Sequence, residues 1–324
     1  MAHRSWRRAS IQIYGDGGRK KSSDLVNSVA CKTLMTTKIG DSLAVLKTMP
    51  DASVHCCVSS PPYFGLRDYV HPGQIGLEKT PEQYIEHLVD VFRQVRRVLR
   101  KDGTLWLVLG DSYNGFNGNR GRSKSYQAHT DEAIPSLPKK NGLTVKSLGN
   151  KQLLGIPWRV ALALQADGWI LRQDIIWKKP NPMPSSVTDR CTTAHEYIFL
   201  FSKYKRYHFD IEAMKEPATS EDGTNGKRTR RSVWTIPTRP FKDAHFATFP
   251  PDLVRPCILA GCPKGGVVLD PFGGSGTTGQ VALEEGRKAV VIEINPAYKK
   301  LIMARIKGIS RSNAVKQAKP VARR

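Results

Sequence analysis

The sequence predicts an α/β fold: a doubly wound, mostly parallel sheet with helices on both faces and irregular basic inserts. Three observations predict it. Short apolar runs alternate with amphipathic helical stretches along most of the chain, as a parallel sheet built from crossover units requires. Residues 267–295, VVLDPFGGSGTTGQVALEEGRKAVVIEIN, read as strand, glycine loop, helix and strand. An early apolar run, Val54 to Val58, stops abruptly at Ser60-Pro61-Pro62-Tyr63, and strand ends are where α/β folds hold ligands.

The elements follow in order. Residues 1–34 read as a flexible basic arm, crowded with Arg4, Arg7, Arg8, Arg19, Lys20 and Lys21. TTKIGDSLAVLKTMPDASVHCCVSSPPY then reads strand, short helix, strand, with Asp41 closing the first strand. TPEQYIEHLVDVFRQVRRVLR is an amphipathic helix with Thr80 as N-cap before Pro81. GTLWLVLGD is a buried strand. Residues 113–150 are glycine-rich, polar and basic, a long loop of the kind that is usually functional or disordered. A helix (IPWRVALALQADG), a strand (WILRQDIIWKK), a proline-rich turn and a strand (AHEYIFLFSK) come next. Residues 212–245 lose periodicity and carry GKRTRRSVW. From 251 the pattern resumes as helix, strand GVVLD, glycine loop, helix, strand KAVVIEI and a final helix.

The chain has 324 residues and 40% apolar content, enough for one large domain or two small ones. No run of 18 apolar residues occurs, so no membrane span is expected. The N-terminus lacks the apolar core of a secretory signal, and a cytoplasmic protein is expected. Six cysteines include no Cys-x-x-Cys pair. The metal-like spacings, Cys191 with His195 and Cys257 with Cys262, read as core thiols in a reducing compartment, so no metal is expected. The formal charge of +23 calls for a polyanionic partner, nucleic acid or an anionic membrane surface. Part of the excess lies in a basic tail: from Lys299 to Arg324 there is no acidic residue.

In the late segment, Gly273, Gly274 and Gly276 stand between a strand and a helix. Glycines there let backbone approach a ligand at a helix N-terminus. Glu293, closing the following strand, is placed to accept from ribose hydroxyls. A phosphate loop needs a lysine after its last glycine, whereas Gln280 follows Gly279, which disfavours nucleotide hydrolysis. Asp270 at the loop entrance suits a ligand bearing an ammonium group better than a pyrophosphate. S-adenosylmethionine carries one.

The proline corner makes sense if the second ligand is a nucleobase with an exocyclic amine. Such an amine is a poor nucleophile, because its lone pair is delocalised into the ring. Acceptors aimed at its N–H groups localise that pair for attack on a methyl group. Ser60 Oγ and the Pro61 carbonyl can supply them, and Pro61 with Pro62 removes competing N–H donors. Tyr63 can stack on the base, worth on the order of 1–3 kcal/mol. A base inside a duplex must first be flipped out.

SSPPY early and DPFGGSGTT late resemble the permuted, beta-class DNA amino-methyltransferases, in which the catalytic half precedes the cofactor half. The resemblance runs from about Lys38 to Ile309 and takes in IGDSLAVLKTMP, GTLWLVLGDSY, GIPWRVALALQADGWILRQDIIWKKPNPMPSSVTDR, HEYIFLFSK, HFATFPPDLV and VIEINPAY. It implies a Rossmann-like methyltransferase domain over 35–310: a catalytic half 35–211 with the basic loop 113–150, a target-recognition insert 212–245 and a cofactor half 246–310. A basic tail, 311–324, follows. It further implies that Asp41 contacts the adenine of S-adenosyl-L-methionine and Glu293 its ribose. Asp270, Phe272 and the loop Gly273, Gly274, Ser275, Gly276 and Thr277 would face its methionine end, with His245 closing over it. Adenine-specific relatives usually carry Asp or Asn where this chain has Ser60, and cytosine-N4 enzymes Ser, so the resemblance favours cytosine.

The expected activity is therefore transfer of methyl from S-adenosyl-L-methionine to cytosine N4 in double-stranded DNA, with adenine N6 as the nearest rival. A catalytically silent DNA-binding protein on the same scaffold is the rival of another class, and the intact corner and loop argue against it. Arg228, Arg230 and Arg231 in the insert are candidates to read guanine or to hold backbone phosphates. The resemblance also admits a homodimer and a cognate restriction endonuclease as partners, in a bacterial or phage-encoded setting.

Overall fold

A computed structural model of the chain describes residues 34–66, 71–115, 145, 147–218, 226–238 and 249–306. The expected arm (apart from its last residue) and tail, the middle of the 113–150 loop, and His245 lie outside the described residues.

β1 (Met35–Ile39) leads through Asp41 into α1 (Ser42–Lys47), and the Asp41 carboxylate accepts from Ala44 N at 2.8 Å. An acidic cap of this kind satisfies an otherwise orphaned amide of the first turn. β2 (Val54–Ser59) ends at the proline corner. Thr80 caps α2 (Pro81–Val98) as the sequence predicts, accepting from Gln83 N at 3.3 Å. The helix buries Tyr84, Leu88, Val91, Phe92, Val95 and Val98, one stripe at helical spacing.

β3 (Leu99–Leu109) begins four residues before the expected Gly103. Leu99 already pairs with Val54, and the register then shifts so that Thr104 stands opposite Cys56. Exposed Arg100, Lys101 and Asp102 are accommodated in that irregularity. α3 (Ile156–Ala166), β4 (Ile170–Lys178) and β5 (His195–Ser202) follow. The region 212–245 contains β6 (Lys215–Pro217), β7 (Lys227–Thr229) and β8 (Val233–Thr235). Three-residue strands are too short to leave a period in the sequence. α4 (Pro251–Gly261), β9 (Val267–Asp270), α5 (Thr277–Glu284), β10 (Lys288–Glu293) and a helix over 298–306 complete the chain.

The main sheet has the order β1-β10-β9-β2-β3-β5-β4-β8, and β6 pairs with β7 apart from it. From β1 to β3 every pairing is parallel; β5 runs antiparallel to β3 and β4, and β8 parallel to β4. Side chains alternate between two apolar layers, as a strand's period of two requires. Cys57, Leu105, Leu107, Phe199 and Phe201 pack in the layer that holds α2 and α3. Cys56, Val58, Trp106, Ile198 and Leu200 pack in the layer that holds α4. Burial on both faces explains the near-continuous apolar runs.

The chain winds outward in two directions from the β9–β2 pair: β9 continues through α5 to β10, and β2 through α2 to β3. That divergence opens a crevice at the carboxyl ends of the strands, where ligands of such folds bind. Gly40, Ser59, Asp111, Asp270 and Glu293 all lie at that edge. Among the described residues no helix is long and apolar enough to cross a membrane.

Candidate active site

One side of the crevice is the glycine loop. Gly273 N donates to Ile292 O at 2.8 Å, and a Cβ at Gly273 would collide with Val291 Cγ1, so only glycine lets the loop lie against β10. Gly274 has φ +48° and nothing near its Cβ position, leaving its backbone face open. Its N–H donates to Glu293 Oε2 at 2.7 Å, while Glu293 Oε1 accepts from Asn295 N at 2.9 Å. Glu293 thus closes the loop, and burial raises its pKa. Asp270 is 1% exposed; its Oδ1 accepts from Ser59 Oγ at 2.6 Å and from Phe272 N at 3.1 Å, and burial raises its pKa too.

The predicted cofactor residues fall into two groups. Asp41 is exposed beside a shallow groove lined by Lys38, Gly40, Ala44, Val45 and Thr48, and Gly40 N donates to Glu293 O at 2.9 Å. Asp41, Glu293 and Gly274 therefore stand on adjacent chain ends, with half-buried Phe272 beyond them. Ser275 and Thr277 turn inward, 2% and 3% exposed, and Thr277 Oγ1 accepts from Arg305 at 2.8 Å. Their side chains hold the loop to the core. Gly276 caps α5 in a left-handed conformation.

The other side is the corner. Pro61 is buried, Ser60, Pro62 and Tyr63 are half-buried, and the Pro62 carbonyl accepts from Tyr84 Oη at 2.9 Å. Tyr63 Oη donates to Glu196 Oε2 at 2.7 Å and accepts from Ser60 Oγ at 3.4 Å. Burial and the Glu196 charge push the Tyr63 phenol well above its ordinary pKa. Lys179 pairs with Glu196 Oε1 and lies 4.5 Å from the centre of the Trp177 ring. Gly110 makes room: a Cβ there would lie 2.6 Å from Tyr63 Cε2.

Sequence reasoning missed Glu196, Lys179, Gly110, Tyr84 and Ser59. The one available signal was a carboxylate inside the apolar run HEYIFLF, at a strand end facing the crevice. Of the candidate DNA-reading residues, Arg228 and Arg230 both engage Glu216, at 3.1 Å and 3.4 Å. Arg231, exposed, follows β7. The cysteine spacings hold no metal cluster among the described residues. Cys257 and Cys262 are buried as expected of core thiols, and burial pushes the Cys262 thiol up to about 12, whereas Cys191, on the stretch between β4 and β5, is exposed and is not a core thiol.

A mostly parallel sheet with a glycine loop, an acidic residue ending the next strand and a Ser-Pro-Pro-Tyr corner across the switch point has the architecture of an α/β methyltransferase. Residues 54–304 match the DNA methylase family model for N6 and N4 enzymes, and the chain belongs to that family of S-adenosylmethionine-dependent DNA methyltransferases. It is 50% identical over 280 residues to the Type II methyltransferase M.XycI of Xanthomonas campestris pv. cyanopsidis, covering 86% of this chain and 89% of that one. It is 47% identical over 288 residues to M.SmaI of Serratia marcescens, covering 86% and 92%. Among solved structures, the PvuII DNA methyltransferase (cytosine-N4-specific) aligns with a TM-score of 0.61 at 21% identity, over 86% of this chain and 91% of that one. A protein from Thermus thermophilus, solved in complex with S-adenosyl-L-methionine, aligns with a TM-score of 0.56 at 26% identity, over 83% and 93%.

Proposed function

We propose that the protein is a site-specific Type II methyltransferase that modifies cytosine N4 in duplex DNA. The carrying observation is the serine at the head of the corner: Ser60 directly follows β2, and β2 pairs directly with β9, which feeds the glycine loop. Bound S-adenosylmethionine would supply an electrophilic methyl group, with Asp41, Phe272, Gly274, Glu293 and His245 as its contacts. Asp270 would act at the methionine end chiefly by fixing the loop, given its burial.

The chain's own part is orientation. Ser60 Oγ and the Pro61 carbonyl accept from the two amine hydrogens, and the Tyr63 ring holds the flipped base. No strong base is required, because the nitrogen becomes acidic once it is alkylated. The name of the PvuII structure and the Type II names of the relatives support this reading. They also support pairing with a restriction endonuclease in the same host; a homodimer stays an expectation from the sequence.

The test is nucleoside mass spectrometry of DNA from cells expressing the chain. N4-methylcytosine is expected, absent with Ser60→Ala. Methyladenine alone would overturn the cytosine assignment while leaving the family membership standing.

A further inference from the structure

We propose that Glu196, held by Lys179, is a positioning residue that sets the direction of the Ser60 hydroxyl through Tyr63. The inference rests on the reading of Ser60 as an acceptor for the target amine. A serine hydroxyl has one proton and two lone pairs, and it accepts from an amine only if its proton points elsewhere. A proton turned into the pocket would face the N–H groups it should receive.

The hydrogen bonds run one way. Glu196 Oε1 takes the Lys179 ammonium, and Glu196 Oε2 takes the Tyr63 proton at 2.7 Å. An ionised carboxylate has no proton to give, so Tyr63 must be the donor in that pair. The Tyr63 oxygen then has only lone pairs to offer Ser60, whose proton turns toward it at 3.4 Å. Both Ser60 lone pairs are left for the crevice. At 3.4 Å the Ser60 contact is long for a hydroxyl pair, so it directs the proton more than it adds strength.

Four separate pieces of chain converge to build this line. Tyr63 comes from the corner after β2, and Glu196 from β5 between β3 and β4. Lys179 directly follows β4, and Gly110 directly follows β3 and clears the Tyr63 ring. Lys179 and Glu196 are 19% and 17% exposed, so their pairing is shielded in a way that surface pairs are not. A pair that only fastened β4 to β5 would need no contact with Tyr63, because eight residue pairs already join those strands.

The test is a double-mutant cycle read by single-turnover methyl transfer to duplex DNA. Tyr63→Phe keeps the ring and removes the hydroxyl; Glu196→Gln keeps the shape and removes the charge. Each is expected to slow the chemical step by about tenfold or more, with DNA and S-adenosylmethionine affinities unchanged within about twofold. In a Ser60→Ala background neither should slow it further. Effects that add fully to Ser60→Ala, or that appear only in affinity or melting temperature, would reduce Glu196 to a strand fastener. If Ser60→Ala is slow while Tyr63→Phe and Glu196→Gln react at the full rate, the positioning role fails and the role of Ser60 stands. If Ser60→Ala itself reacts normally, the acceptor reading and this inference fall together.

Discussion

Ser59 Oγ donates to Asp270 Oδ1 at 2.6 Å, joining the ends of β2 and β9 across 211 residues of sequence. Ser59 precedes the corner residue Ser60, and Asp270 precedes the glycine loop. The bond therefore fixes the corner and the glycine loop relative to each other. One further bond crosses the same seam, Thr278 Oγ1 to Val58 O at 3.3 Å, and Ser42 Oγ to Pro271 O at 2.6 Å ties the start of α1 to the loop entrance. With the base at the corner and the cofactor at the loop, as proposed, this seam would set the distance between methyl donor and acceptor on which transfer depends.

Asp270→Ala leaves the Ser59 hydroxyl and the Phe272 amide without their acceptor in a buried site. A loss of about 1–3 kcal/mol of stability is expected for unmade bonds of this kind. Cofactor affinity should fall at least tenfold, about 1.4 kcal/mol, because the loop entrance loosens. Calorimetry with S-adenosylmethionine and thermal unfolding read the two effects separately. Unchanged affinity would separate Asp270 from the cofactor site.

Asp270→Asn probes charge instead of shape. Burial raises the Asp270 pKa in the fold, against the bonds from Ser59, Thr278 and Phe272. A raised folded pKa means that the group's favourable contribution is complete below the unfolded value, about 3.9, and is lost as pH rises through the folded value. Asparagine has no such loss. The melting temperature of Asp270→Asn should therefore gain on that of the parent as pH rises from about 4 toward neutrality. A difference that stays constant over that range would mean that the buried charge carries no net cost.

The arginines of the insert behave as a pair. Glu216 accepts from Arg228 Nε at 3.1 Å and lies 3.4 Å from Arg230 Nε, and Arg230 also lies over the Trp234 ring at 5.3 Å. Guanidinium groups held this way fasten β6 to β7. Arg228→Ala and Arg230→Ala are expected to weaken DNA binding evenly over all sequences and to leave the methylated motif unchanged. Motif sequencing of the modified DNA checks this. A relaxed motif would show that a guanidinium leaves Glu216 for a base edge.

What the sequence discloses here is what is local. The corner and the glycine loop are contiguous, and their chemistry follows from residue type and spacing. The Thr80 cap and the stripe of α2 are local as well. The partners of Tyr63 are not: Glu196 lies 133 residues away, and it meets Tyr63 only because β5 inserts between β3 and β4. No periodicity encodes that strand order. β8 escaped because Val233, Trp234 and Thr235 are too few to establish a period, although Trp234 is buried and its Nε1 donates to Arg231 O at 2.9 Å. The inward turn of Ser275 and Thr277 escaped because a glycine loop does not reveal which of its faces meets the core.

Asn114 ties Val145, Leu148 and Gly149 to the chain just after β3, and its replacement tests the role expected of the basic stretch between them. The side chain is 1% exposed, and its Nδ2 donates to the carbonyls of Val145, Leu148 and Gly149 at 3.1, 2.8 and 3.2 Å. Its Oδ1 accepts from Val145 N at 2.8 Å, and its backbone pairs with Gln152 and Lys151. Nearby, Arg190 stacks on Tyr113 at 3.9 Å and Lys151 pairs with Asp189 at 2.8 Å, tying the proline-rich segment to the same place. Asn114→Asp would turn a carboxylate toward three carbonyls, and like partial charges in a buried site repel. The cost should fall on the contacts of Asn114 with Val145 and residues 148–152 rather than on the sheet, because local segments open independently of the core. Hydrogen exchange at the amides of Asn114, Val145 and Lys151 is expected to accelerate, and DNA affinity to fall, while S-adenosylmethionine affinity stays within about twofold, the glycine loop being built on other strands. Equal loss of cofactor and DNA binding would mean that the contacts of Asn114 support the whole sheet rather than the DNA side alone.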